Sequence, residues 1–211
     1  MFFFTCPFLM PITIRAVVGL GNPGKEYART RHNAGYWFAD ALAGAHRAQF
    51  NKEPKFQGEL AKFRFTDELL LLLKPTTFMN LSGDSVQALA AFHQLEPEQI
   101  LVVHDELDLP VGAVRLKAGG GHGGHNGLRS IHQHLGEAYL RLRLGVGHPG
   151  NKEQVQSYLT EERTPENEEL LIRAAITTAL DALAVLLEEG PEKAMQLLHT
   201  LSPLPAGPEE S

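Results

Sequence analysis

The sequence predicts an α/β fold, a single globular domain in which helices flank a central mixed β-sheet. Three observations predict it. Short β-branched or leucine-rich runs alternate with longer segments whose apolar residues recur at helical spacing, the pattern that builds a sheet covered by helices. The length of 211 residues suits one domain with a sizeable core. The composition, 43% hydrophobic and 21% charged, is that of an ordinary globular chain.

Each element follows from its residues. Positions 12–20 form a β-branched run ending in glycine and read as a buried strand. Positions 33–46 read as a helix, with Tyr36, Phe38, Ala39, Leu42 and Ala43 as its apolar face and Asn33 as its cap. The alternation Phe56, Leu60, Phe63, Phe65 predicts a strand over 56–65. The run 69–73, stopped by Lys74-Pro75, predicts another, followed by a helix over 82–93. Strands are expected at 100–103, 113–117 and 140–146, and a helix at 126–135. Helices are expected at 151–159 and 165–187, then a last short one. The domain is read as 12–201, with an N-terminal extension over 1–11 and a flexible tail rich in Pro, Gly and Glu over 202–211. Met10 is a second candidate start.

A single cysteine, Cys6, excludes an internal disulfide and a cysteine metal site. The first residues are apolar but lack a basic flank and a small-residue cleavage site, and no run reaches the ~20 apolar residues that span a bilayer. A cytoplasmic chain without a membrane partner is the expectation. The net charge of -6 does not exclude a nucleic-acid partner, because it is unevenly spread. Residues 1–152 carry 16 Lys and Arg against 13 Asp and Glu, whereas residues 153–211 carry 3 against 12. A local basic patch on the first three quarters is compatible with that balance.

Gly19, Gly21 and Gly24 have the G-x-G-x-x-G spacing of a dinucleotide loop. Such a loop needs its third glycine in the first turn of a helix, whose exposed amides hold the pyrophosphate. Here Gly24 is followed by the polar stretch KEYARTRH, and Pro23 removes a donor. The loop therefore reads as a tight turn that presents Asn22 and then His32. Asp40, at a suitable distance for a ribose-binding acid, leaves the cofactor reading open at this point.

In open α/β sheets, ligands sit beyond the carboxyl ends of the strands. Asn22, Asn80 and the pair His104-Asp105 all fall where expected strands end. His32 is a candidate general base, and Asp105 could hold its imidazole in the required tautomer. His104 is a poor partner for Asp105, since adjacent residues in extended backbone diverge. Asn80 could hold a carbonyl or oxyanion, or cap the next helix. Five glycines among residues 119–124 allow close backbone approach or a mobile loop. His122 and His125 there invite a zinc reading, although H-x-x-H is not the i, i+4 spacing of a helical metal pair. Asn126 could cap a helix or hold an attacking water. Arg115, Lys117, Arg129, Arg141 and Arg143 cluster in one span, and alternation pairs Arg115 with Lys117 and Arg141 with Arg143 on strand faces, as a phosphate-binding patch would.

Taken together, GLGNPGKEYARTRHNAG, KPTTFMNLSG, HDELDLPVG and GGGHGGHNGLRS resemble the bacterial-type peptidyl-tRNA hydrolase family, in order and over nearly the whole chain. The resemblance implies cleavage of the ester between a peptide and the 3′ ribose of tRNA. It implies a monomeric α/β globule, with peptidyl-tRNA as the partner and no cofactor or metal. It makes His32 the catalytic base and Asp105 its acid partner. It sets Asn22 and Asn80 against the substrate's backbone and terminal nucleotide, Asn126 near the water, and Tyr27 and Met79 in the pocket lining. Lys117 and Arg143 fall at positions that grip the tRNA 5′ phosphate.

Overall fold

The computed structural model describes residues 13–201, so the extension and the tail expected from the sequence lie outside the described residues. In chain order the elements are β1 (Ala16–Gly19), α1 (Ala34–Ala45), β2 (Asn51–Glu53), β3 (Gly58–Phe65), β4 (Glu68–Pro75), α2 (Ser82–His93), β5 (Ile100–Glu106), β6 (Val114–Ala118), α3 (Asn126–Leu135), β7 (Leu140–Gly145), α4 (Val155–Thr160), α5 (Glu166–Glu189) and α6 (Pro191–Leu201).

The strands make one seven-stranded sheet in the order β2-β3-β4-β1-β5-β7-β6. Its centre, β4-β1-β5-β7, is parallel, and the outer strands run antiparallel to their neighbours. The expected mixed sheet is therefore present. Period-two alternation splits the core between the two faces. Val17, Leu72, Leu101, Val103 and Leu142 point to the layer that contains α1, α5 and α6. Ala16, Val18, Leu71, Leu73, Ile100 and Val102 point to the layer that contains α2 and α3.

The glycines of the first motif serve this packing. A Cβ on Gly19 would run into the backbone of Gly35 in α1, and one on Gly21 would lie 2.6 Å from the Tyr36 ring. The loop after β1 is a series of turns, and α1 begins only at Ala34. Asp40, the candidate ribose acid, pairs with Lys74 at 2.7 Å. The dinucleotide reading thus lacks both its helix and its acid.

Several boundaries differ from expectation for local reasons. Residues 54–56 form a 3-10 turn, so the strand expected from 56 starts at Gly58. The strand expected over 100–103 continues to Glu106, because parallel pairing with β7 extends to Gly145. Asp105 is therefore inside a strand. α5 is long and apolar enough by composition to cross a membrane. Here its apolar stripe, including Ile172, Ile176, Leu183 and Leu186, packs against the core.

Candidate active site

The site lies at the carboxyl ends of β1 and β5. A 3-10 turn, Arg31–Asn33, leads into α1 and carries His32, which is 5% exposed. β5 delivers Asp105, which is 2% exposed. Both Asp105 carboxylate oxygens lie at bonding distance from His32 Nδ1, at 2.9 and 3.0 Å. A carboxylate can only accept here, so Nδ1 carries the proton and Nε2 keeps its lone pair. Burial alone would raise the Asp105 carboxyl, but the imidazoles of His32 and His125 override it and hold the group well below the usual carboxylate range.

His125 is the third member. Its Nε2 lies 3.1 Å from Asp105 Oδ1, and its ring centre is 4.9 Å from that of His32. Its other nitrogen caps α3, with Nδ1 accepting the backbone N–H groups of Gly127 and Leu128 at 3.1 and 3.3 Å. Those two donors fix the tautomer: Nδ1 keeps the lone pair, and Nε2–H donates to Asp105. Among the described residues, the atoms of His32, Asp105 and His125 lie within 4.8 Å of one another, close enough to be considered for a metal. His122 is not in that group, so the His122–His125 pair considered from the sequence is not assembled. The α3 cap also commits the His125 lone pair away from the cluster, so the three groups fit a hydrogen-bonded clamp better than a cation site.

His32, Asp105, His125 and Asn126 line a cleft of about 590 Å³. Its facing wall comes from α4, with Val155, Gln156, Leu159 and Thr160, and Arg129 also reaches it. Asn126 is the first residue of α3 and is not its cap, since His125 holds that position. His104 points away as expected, its ring bonding the Asp105 carbonyl through Nδ1 at 2.6 Å. Burial, reinforced by the nearby His125, pushes His104 down to about 3, so it is neutral.

The chain is similar to known proteins over most of its length. The family model for peptidyl-tRNA hydrolase matches residues 16–205. A peptidyl-tRNA hydrolase of Neisseria meningitidis serogroup A is 52% identical over 90% of this chain and 100% of its own length. That of Psychromonas ingrahamii is 50% identical over 90% of this chain and 98% of its own. The crystal structure of peptidyl-tRNA hydrolase from Acinetobacter baumannii superposes with a TM-score of 0.85 at 45% identity, covering 90% of this chain and 95% of that one. The chain belongs to the peptidyl-tRNA hydrolase family.

The other expected residues of this family member, Asn22, Tyr27, Met79, Asn80, Lys117 and Arg143, are not in the lining of this cleft. Asn22, 7% exposed, has its Oδ1 taken by the Met79 backbone N–H at 2.8 Å, which orients its amide. Met79 is buried, and its sulfur lies so close to Gly127 that a Cβ there would come within 2.6 Å. Asn22 is thereby linked through Met79 to the first turn of α3. Tyr27 is half-buried in the turn after Gly24, and Asn80 is exposed in the 3-10 turn Met79–Leu81. Leu81, not Asn80, holds the N-cap position of α2. Lys117 is exposed on β6, and Arg143 is tied to Glu106 at 2.9 Å.

Two residues in the site carried no role in the sequence reading beyond cap or zinc candidate. His125 belongs to the Asp105 clamp, a contact between positions 20 residues apart that no local pattern marks. Asn33 takes the N-cap position of α1 but makes no cap bond. Its amide instead accepts the Asn22 N–H at 2.8 Å and donates to the Asn22 carbonyl at 3.0 Å. A cap and a crosslink look alike in sequence.

Proposed function

We propose that His32 is the general base with which this enzyme hydrolyses peptidyl-tRNA, the reaction of its family. The observation that carries the reading is the Asp105 carboxylate astride His32 Nδ1. It leaves the Nε2 lone pair to take a proton from water as the water oxygen attacks the ester carbonyl. Asp105, ionised throughout the working range, stabilises the imidazolium that results. As the tetrahedral intermediate collapses, the C–O bond to the ribose breaks, and Nε2–H returns the proton to the departing 3′ oxygen. Asn126, at the α3 start, donates to the water or the oxyanion. The ester is already activated, so a base and amide donors, each worth about 10²–10³-fold, supply the chemistry without a metal.

The rest of the reading is substrate handling. Asn22 and Asn80 contact the peptide backbone and the terminal nucleotide, with Tyr27 and Met79 shaping the pocket behind them. Amides suit this work because they bind backbone without selecting side chains. Lys117 and Arg143 hold the tRNA 5′ phosphate. The scissile bond lies on a single-stranded end, where side chains reach the bases. We take the enzyme to act as a monomer in the cytoplasm, which light scattering and fractionation would check.

The deciding experiment is hydrolysis of N-acetyl-aminoacyl-tRNA beside unblocked aminoacyl-tRNA, in excess EDTA, by wild type and His32→Ala. The expected result is EDTA-resistant cleavage of the blocked substrate alone, lost in the variant while tRNA still binds. Near-normal rates in His32→Ala would remove His32 as the base.

A further inference from the structure

We infer that Arg31 is a positioning residue that sets how far the α4 wall stands from His32, and through it the enzyme's response to peptide length. The inference rests on the site reading above. Arg31 immediately precedes His32 and is 2% exposed. Its guanidinium carbon lies over the Tyr158 ring of α4, 3.7 Å from the centroid. Nε and one terminal nitrogen hold Glu168 Oε2 at 3.0 and 2.8 Å, and the other terminal nitrogen donates to the Tyr158 carbonyl at 3.0 Å. One planar cation thus ties α4 and the first turn of α5 to the turn that carries the base.

A six-residue helix cannot hold its own conformation in water. α4 takes its position from what it packs on, and that is the 3-10 turn of His32. The Tyr158 hydroxyl adds a bond to the Val146 carbonyl at 2.6 Å, and Thr30 pairs with Arg163 beside it. The cleft face of α4 offers Val155 and Leu159, apolar groups suited to a peptide of arbitrary sequence. Lys117 and Arg143, the cations placed for the tRNA 5′ phosphate, lie on β6 and β7, while Arg129 and Lys152 line the cleft itself. Displacing α4 therefore changes the room for residues beyond the first, while the carbonyl next to His32 keeps its neighbours.

The test compares N-acetyl-aminoacyl-tRNA with N-acetyl-tetrapeptidyl-tRNA. Arg31→Lys keeps the charge for Glu168 but loses the guanidinium over the Tyr158 ring and the fork. KM for the tetrapeptide substrate should rise about tenfold with kcat unchanged, and KM for the short one should stay within about twofold. Tyr158→Leu, a milder change on α4, should act in the same direction, and the double variant should fall short of the combined effects. Equal losses on both substrates, a kcat loss with a shifted acid limb, or fully additive variants would overturn the inference. His32→Ala run in parallel separates the two readings: activity there would sink the base assignment, whatever Arg31 does.

Discussion

At Asn33 a single amide holds both the backbone N–H and the carbonyl of Asn22, whose side chain accepts from the Met79 N–H. Asn33→Ala removes two buried hydrogen bonds, so urea unfolding should show a loss of about 2 kcal/mol. The loosened Asn22 should also raise KM for peptidyl-tRNA. Asp105 is the other residue on which the site turns, because it receives two imidazoles and is closed to water. Asp105→Asn keeps the shape but removes the charge that fixes the His32 tautomer. The rate should fall by about 10³-fold or more, because the carboxamide can donate to Nδ1 and leave Nε2 without its lone pair. A near-normal rate in Asp105→Asn would refute the pairing.

At the scale of the element, the antiparallel pair of β6 and β7 at the sheet edge is the most informative. Antiparallel register sets Arg115 opposite Arg143 and Lys117 opposite Arg141. Like charges directly opposite one another destabilise a sheet. Part of the stress is relieved internally: Arg141 donates to the carbonyls of Gly119, Gly120 and Gly121, and Arg143 pairs with Glu106. Lys117 stays exposed, as a phosphate ligand should. In tRNA binding, Lys117→Ala should weaken affinity and lower the slope of log K against log salt by about 1. An unchanged slope would put the clamp elsewhere. The same strand pair shows what alternation in a sequence reveals. The two same-face pairs were legible, since period two holds for any strand. That the pairs face each other was not, because register depends on which strands meet. β2 escaped notice altogether: Asn51, Lys52 and Glu53 form a polar edge strand with no apolar face to mark it.

Across the whole molecule, histidines held below their ordinary value link stability to pH. His104 is held at about 3 in the fold, against 6.5 when free. Between those values the unfolded chain binds the extra proton. Stability should therefore fall as the pH drops below about 6.5, by about 1.4 kcal/mol per unit for one such group. His93 and His132, both lowered chiefly by burial, act in the same sense. Asp105 acts lower down, its contribution present above the unfolded carboxyl value of about 3.9 and lost as pH falls through the folded one. Urea titrations from pH 7 to pH 5 should show this slope, reduced by one proton's worth in His104→Gln. An equal slope in the variant would remove His104 as its source.

The sequence by itself determined the α/β class, most of the elements, and the roles open to His32, Asp105 and the asparagines. These follow from local periodicity and from several motifs occurring in one order, and both survive whatever the chain does in three dimensions. Only the tertiary structure decided which groups meet. It brought His32 and Asp105 together across 73 positions of sequence. It turned His125 from a metal candidate into a fixed donor, Asn33 from a cap into a crosslink, and Arg31 into the tie beneath the cleft. The reason is that hydrogen bonds and tautomers depend on distances of a few tenths of an ångström between segments far apart in the chain. Residue spacing records nothing about such distances.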